Sequence, residues 1–163
     1  MIARVPPPTT RSSVSLDVDV STSGVRSPVA AAKLAAAARA VLRTERVRNA
    51  LVSVTLVDRP AIARMNRTHL GHRGATDVIS FSFSRASTRD AVIGDVYIAP
   101  DVARANAAAR GVPVREEILR LVVHGTLHVL GHDHPEGATR ERSPMWRKQE
   151  RIVRRLTRTG ARR

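Results

Sequence analysis

The sequence predicts a single α+β domain of four strands and about five helices, and three observations carry that prediction. Its 163 residues suit one domain and suffice to close a core over a buried site. Period-two apolar patterns alternate along the chain with helical patterns that begin at proline and stop at glycine. One helical pattern is apolar nearly all round, so the helix it forms must sit inside the fold.

Residues 1–13 hold three consecutive prolines, two arginines and no acid, and read as a disordered lead-in to a domain over 14–158, with a basic tail at 159–163. Val14, Leu16, Val18 and Val20 alternate with polar partners as in a half-buried strand that Gly24 ends. Pro28 opens an alanine-rich helix to about Glu45, and Leu51 to Val57 give a second strand that Asp58 closes. A short helix follows from Pro60 to Leu70, stopped by Gly71. After the loop with His72 and Arg73, the β-branched and aromatic run 76–83 predicts a third strand. The fourth, 91–99, is expected to be interrupted at Gly94-Asp95. Pro100 starts a helix ending near Gly111, and Pro113 starts the long apolar helix, with Glu116 and Glu117 in its first turn and Gly131 at its end. A last basic helix runs from Pro144 to about Arg158.

Composition narrows the chemistry. There is no cysteine, which excludes disulfides, a thiol nucleophile and thiolate metal sites, so any metal must sit on nitrogen and oxygen. No apolar run reaches the ~20 residues of a membrane span, and the N-terminus lacks the apolar block of a signal peptide, so a soluble cytoplasmic protein is expected. The net charge is +14, and 26 of the 28 basic residues are arginine. From Arg140 onward ten basic residues face only Glu141 and Glu150, an excess that suits a polyanion such as RNA, although charge runs are also ordinary solvated faces.

Four of the six histidines fall in His124-Gly-Thr-Leu-His128-Val-Leu-Gly131-His132-Asp133-His134. At ~100° per residue, His124 and His128 lie about 40° apart on one helix face, one turn apart along the axis, where two imidazoles can grip one ion. In a continuing helix His134 would point roughly 240° away from His128, so the helix has to stop. Gly131 can take a left-handed turn without a Cβ clash and bring His134 back as the third ligand. Three protein ligands leave a fourth position for water, as in a catalytic zinc site, and hydrolysis is the expected chemistry. His132 is expected to point outward, while Asp133 either orients a ligand imidazole or caps the turn.

The spacing His-x-x-x-His-x-x-Gly-x-x-His also occurs in metzincin peptidases, where glutamate follows the first histidine as general base. Here Gly125 stands in that place, which argues against a peptidase. A helical glycine costs ~1 kcal/mol relative to alanine, so something, a substrate for example, is expected to approach the helix closely there. With no glutamate, activation of the water is left to the zinc itself, to substrate phosphate or to a carboxylate from elsewhere, the candidates being Asp77, Asp95 and Asp133.

The run His124 to His134 resembles the hallmark of the YbeY family of bacterial endoribonucleases and rRNA maturation factors. Thr76-Asp77-Val78-Ile79-Ser80-Phe81, Gly94-Asp95-Val96-Tyr97-Ile98 and Met145-Trp146-Arg147-Lys148-Gln149-Glu150 follow the family's order, so the resemblance covers about 14–156. It implies a mixed four-stranded sheet with a zincin-like metal-site helix, and one Zn2+ on His124, His128 and His134. It further implies cleavage of single-stranded RNA, maturation of the 3′ end of small-subunit rRNA, ribosome quality control, and work with ribosomes or their assembly intermediates. The chain departs from the family at two points. Many members carry Tyr-Arg-Gly where this chain has His69-Leu70-Gly71, and Arg73 or His72 is the candidate substitute for that arginine. Ser82 stands where many members have proline. The competing reading is a non-catalytic RNA-binding assembly factor whose zinc is structural, and a fourth protein ligand closing the site would favour it.

Overall fold

A computed structural model describes residues 13–83, 87 and 89–160. All but Ser13 of the expected lead-in, and 161–163 of the expected tail, lie outside them. Four strands, β1 (Ser15–Ser23), β2 (Asn49–Val57), β3 (Val78–Phe83) and β4 (Val92–Ile98), form one sheet in the order β1-β2-β4-β3. β1, β2 and β4 are parallel and β3 pairs antiparallel with β4, so the sheet is mixed. The helices are α1 (Ala31–Thr44), α2 (Arg59–Leu70), α3 (Pro100–Arg110), α4 (Val114–Val129) and α5 (Pro144–Gly160), with a 3-10 turn at Gly137–Arg142 before α5. The expected tail residues Thr159 and Gly160 continue α5 instead of leaving it.

The pleat divides the sheet into two faces. Ala50, Val52, Val54 and Leu56 of β2 and Val92, Val96 and Ile98 of β4 point into the main core with Leu34, Val41 and Leu42 of α1 and Ile118, Val122 and Leu127 of α4. The opposite face is covered at one end by α2, whose Ile62 packs with Val57, Ile79 and Ala99. Asp58 starts α2 by accepting the Ala61 N–H at 2.8 Å. Elsewhere that face carries the exposed side chains of Leu51 and Ile93, which are cross-strand partners.

Helix α4 lies on β3 and β4 in a repeat that both elements share. Ser80 and Val96 are paired in the sheet, as are Ser82 and Gly94 two residues along. The Ser80 hydroxyl donates to the Gly125 carbonyl at 3.0 Å and the Ser82 hydroxyl to the Val129 carbonyl at 2.9 Å. Four helical residues rise ~6 Å and two strand residues ~6.7 Å, so successive rows of the sheet meet successive turns of the helix. A Cβ on Gly125 would lie 2.5 Å from Val96 Cγ1 and 2.9 Å from Ser80 Oγ. The close neighbour expected at Gly125 is therefore the sheet itself and not a substrate.

Some predicted bounds shift. β4 runs unbroken through Gly94-Asp95 because Gly94 is a regular rung between Val52 and Ser82. The glycine serves packing, since a Cβ there would come within 2.4 Å of Val129 Cγ1 and 2.8 Å of the Phe81 carbonyl oxygen. β2 begins two residues before Leu51, at Asn49. β3 begins at Val78, although the Asp77 carbonyl still accepts the Ala99 N–H at 2.9 Å. Ser82, where many members have proline, lies within β3, and its hydroxyl anchors the metal-site helix.

Candidate metal centre

His124 and His128 stand one turn apart on α4, on the flank next to the face that docks on the sheet. Just past Val129 the chain reverses: Gly131, at φ +91°, donates to the His128 carbonyl at 2.9 Å and His132 to that of Leu127 at 3.1 Å. A left-handed residue is required there, and glycine takes it without strain. The reversal brings His134 back to the helix. Its Nε2 lies 3.3 Å from that of His128 and 3.4 Å from that of His124, while the His124 and His128 Nε2 atoms are 3.0 Å apart.

Hydrogen bonds on the far side of the rings set what those three nitrogens offer. His124 Nδ1 is 2.7 Å from the Gln149 side-chain oxygen, and His134 Nδ1 is 3.0 Å from the Pro135 carbonyl. A carbonyl oxygen only accepts, so both rings donate from Nδ1 and turn Nε2 lone pairs toward each other. Burial pushes the His124 imidazole down to about 3, helped by the charges of His128, Arg140 and His134 against the opposing bond from Gln149. Burial likewise lowers His128, with His134 next in effect, while a backbone hydrogen bond to His132 works the other way. Both rings are therefore neutral near pH 7, the form that binds metal. Tetrahedral zinc with bonds of ~2.0–2.1 Å holds its nitrogens about 3.3–3.4 Å apart, which the trio approaches. The residues fit one divalent ion, and among the described residues the group has three members and no fourth.

Buried charge braces this arrangement from behind. Arg120, inside α4, bonds Glu116, Glu117 and Glu150 at 2.8 Å each. Burial opposes its charge, but the bonds to Glu150 and Glu116 outweigh that and hold its pKa above the usual value. Glu150 also accepts from Gln149 at 3.1 Å, which leaves the Gln149 oxygen for His124. On the other flank Glu45, at the end of α1, takes His132 at 2.7 Å and Lys148 at 2.6 Å. Its burial raises its pKa, and the bonds from Lys148 and His132 lower it further than that, so it stays charged.

A cavity of about 390 Å³ opens beside His124, lined among others by Asp77, Asn106, Arg140, Trp146 and Gln149. Of the three aspartates that the sequence offered, Asp77 alone lines it, with Oδ2 accepting from Asn106 at 2.9 Å. Asp95 is not brought to the trio: it projects from the face of the sheet away from α4 and accepts from Ser53 at 2.6 Å. Asp133 caps the turn, its Oδ1 accepting the His134 N–H at 2.8 Å. His132 turns to Glu45, and His72 and Arg73 are exposed on the loop after α2. Sequence reasoning assigned no role to Gln149, Arg120, Arg140 or Glu45. Gln149 and Arg120 did leave a signal, each being a polar residue at a core position of an amphipathic or apolar helix. Glu45 left none, since it meets His132 across 87 residues of chain.

Fold and site together define a class: an α+β domain whose buried helix and following turn present three imidazoles to one point, able to hold a single divalent ion beside an open polar cavity. The family model described as endoribonuclease YbeY matches residues 19–157. The chain is 38% identical over 114 residues to an endoribonuclease YbeY of Persephonella marina, covering 69% of this chain and 74% of that one. It is also 38% identical over 124 residues to one from Desulfitobacterium hafniense, covering 71% and 77%. The solution structure of a Thermotoga maritima protein shares the fold with a TM-score of 0.55 at 22% identity, over 85% of this chain and 88% of that one. The chain belongs to the endoribonuclease YbeY family. Among the described residues no helix is long and apolar enough to cross a membrane.

Proposed function

We propose that the protein is a zinc-dependent endoribonuclease that cleaves single-stranded RNA, working in the cytoplasm on the 3′ end of small-subunit rRNA and in ribosome quality control. The observation that carries this reading is the convergence of three Nε2 atoms within 3.4 Å of one another at the edge of a polar cavity, in a chain of net charge +14. Three imidazole ligands favour zinc among the common divalent ions of a cell, and a zinc ion bound there would polarise a phosphoryl oxygen and make water more acidic. His124, His128 and His134 hold it, and Gln149 fixes the ring of His124. Asp77 lines the cavity with one carboxylate oxygen held by Asn106, and we assign it the role of taking a proton from the attacking water. The chain as a whole is strongly basic, which suits a phosphodiester substrate, because phosphate contacts dominate RNA affinity.

The reading of zinc as a structural staple in a non-catalytic assembly factor requires a fourth protein ligand, and among the described residues none joins the trio. His124→Ala and His128→Ala are expected to abolish cleavage of a single-stranded oligoribonucleotide while leaving its binding largely intact. Undiminished cleavage by either variant refutes the assignment. Mapping the ends of small-subunit rRNA in cells carrying His124→Ala checks the biological role, which unchanged ends would refute.

A further inference from the structure

Arg140 enters the cavity from the 3-10 turn. Its Nη2 stands 3.5 Å from His124 Nε2, and its guanidinium carbon lies 5.7 Å from the centre of the Trp146 ring. Its Nε is buried and has no hydrogen-bond partner. The other cations lining the cavity have carboxylate partners, Arg120 with Glu117 at 2.8 Å and Arg110 with Glu141 at 3.8 Å, while Asp77 is hydrogen-bonded by Asn106. Among the described residues Arg140 is the one cation of the cavity lining without a carboxylate, with its Nη2 beside His124.

Packing alone does not account for this placement. A guanidinium that only stacked on Trp146 could turn its polar edge to water, whereas here a buried donor of a permanent cation is left without an acceptor, which is costly. Its field also falls on His124 and His128. A cation at the trio and a guanidinium this close repel each other unless an anion lies between them. A phosphate satisfies both, since the planar fork of arginine matches two of its oxygens.

We propose that Arg140 binds the scissile phosphate, holding the phosphodiester in the cavity between its guanidinium and the three histidines. The proposal rests on the endoribonuclease reading for its substrate, but its anion site is testable without catalysis.

The test compares zinc-loaded wild type, Arg140→Gln, Arg140→Lys and, as a control for loss of charge, Arg64→Gln, which changes an exposed residue of α2 outside the cavity. Inorganic phosphate is titrated by phosphorus NMR, zinc content is measured, and cleavage of a single-stranded oligoribonucleotide is followed. Arg140→Gln is expected to keep its zinc, to bind phosphate about tenfold or more weakly, and to cleave with raised KM and lowered kcat. Arg140→Lys recovers part of the phosphate affinity, and Arg64→Gln matches wild type. Phosphate affinity in Arg140→Gln equal to wild type, with zinc retained, overturns the proposal. Should Arg140→Gln lose its fold or its zinc, Arg140→Lys and guanidinium ion added to Arg140→Ala decide: restored phosphate binding supports the proposal and its absence overturns it. A wild type that binds phosphate through Arg140 yet cleaves no RNA leaves the anion site standing and removes the endoribonuclease reading.

Discussion

His124 is held at the Nδ1 side of its ring, and that sets what a change nearby should do. Its Nδ1 donates to Gln149, which is 1% exposed and is itself fixed through Glu150. Removing that acceptor frees the ring to rotate and to move its proton to Nε2, where it would block the metal. Partners of this kind typically contribute about 10–100-fold in metal affinity. Gln149→Leu fills the same space without an oxygen and is expected to weaken zinc binding by that order, read by competition with a chelator. Affinity equal to wild type would show that the ring is held by packing alone.

At the scale of elements, the site depends on how closely α4 approaches the sheet. Gly125 and Gly94 are the two points of closest approach, one on the helix and one on β4, and both sit where a methyl group would collide. At Gly94 the nearest atoms include the Phe81 carbonyl, which belongs to the backbone and cannot turn aside. Gly94→Ala should therefore cost about 1–3 kcal/mol through overpacking, despite the better strand propensity of alanine. Urea denaturation measures this, and a midpoint at or above wild type would contradict the packing. The serines that seal the same contact, Ser80 and Ser82, bond the helix at Gly125 and Val129, the positions directly after His124 and His128. Fixing the sheet side of α4 thereby fixes the metal side.

For the molecule as a whole, acid sensitivity follows from the buried histidines. In the unfolded chain an imidazole takes up its proton near pH 6.5, whereas in the folded chain without metal burial delays that uptake at His124 to about 3. Between those values the unfolded state binds more protons, so stability falls as the pH drops through that window, and lowered His128 adds to the fall. Glu45 and Glu150, held below 4.5, act in the same direction only at lower pH. The urea midpoint of chelator-treated protein is accordingly expected to decline between about pH 7 and about pH 5, with a shallower decline in His124→Asn. A decline of equal slope in that variant would rule out His124 as a source.

The local part of this protein was legible in its residues. The spacing of His124 and His128, and a glycine stop that returns His134, follow from helix geometry and from the conformational freedom of Gly131, and both operate within a dozen residues. The alternation of strands and helices follows from the periods of apolar residues, and the described residues form four strands and five α-helices with a 3-10 turn before the last. What only tertiary structure decided is everything set by distance across the fold: that Gly125 makes room for Val96 and not for a substrate, that Asp95 faces away from the site while Asp77 lines its cavity, and that Gln149 and Arg140 come to His124 from the segments after the metal loop. Local periodicity shows that a side chain is buried or exposed. Its partner is chosen by strand order and by how helices pack, which no short stretch of sequence contains.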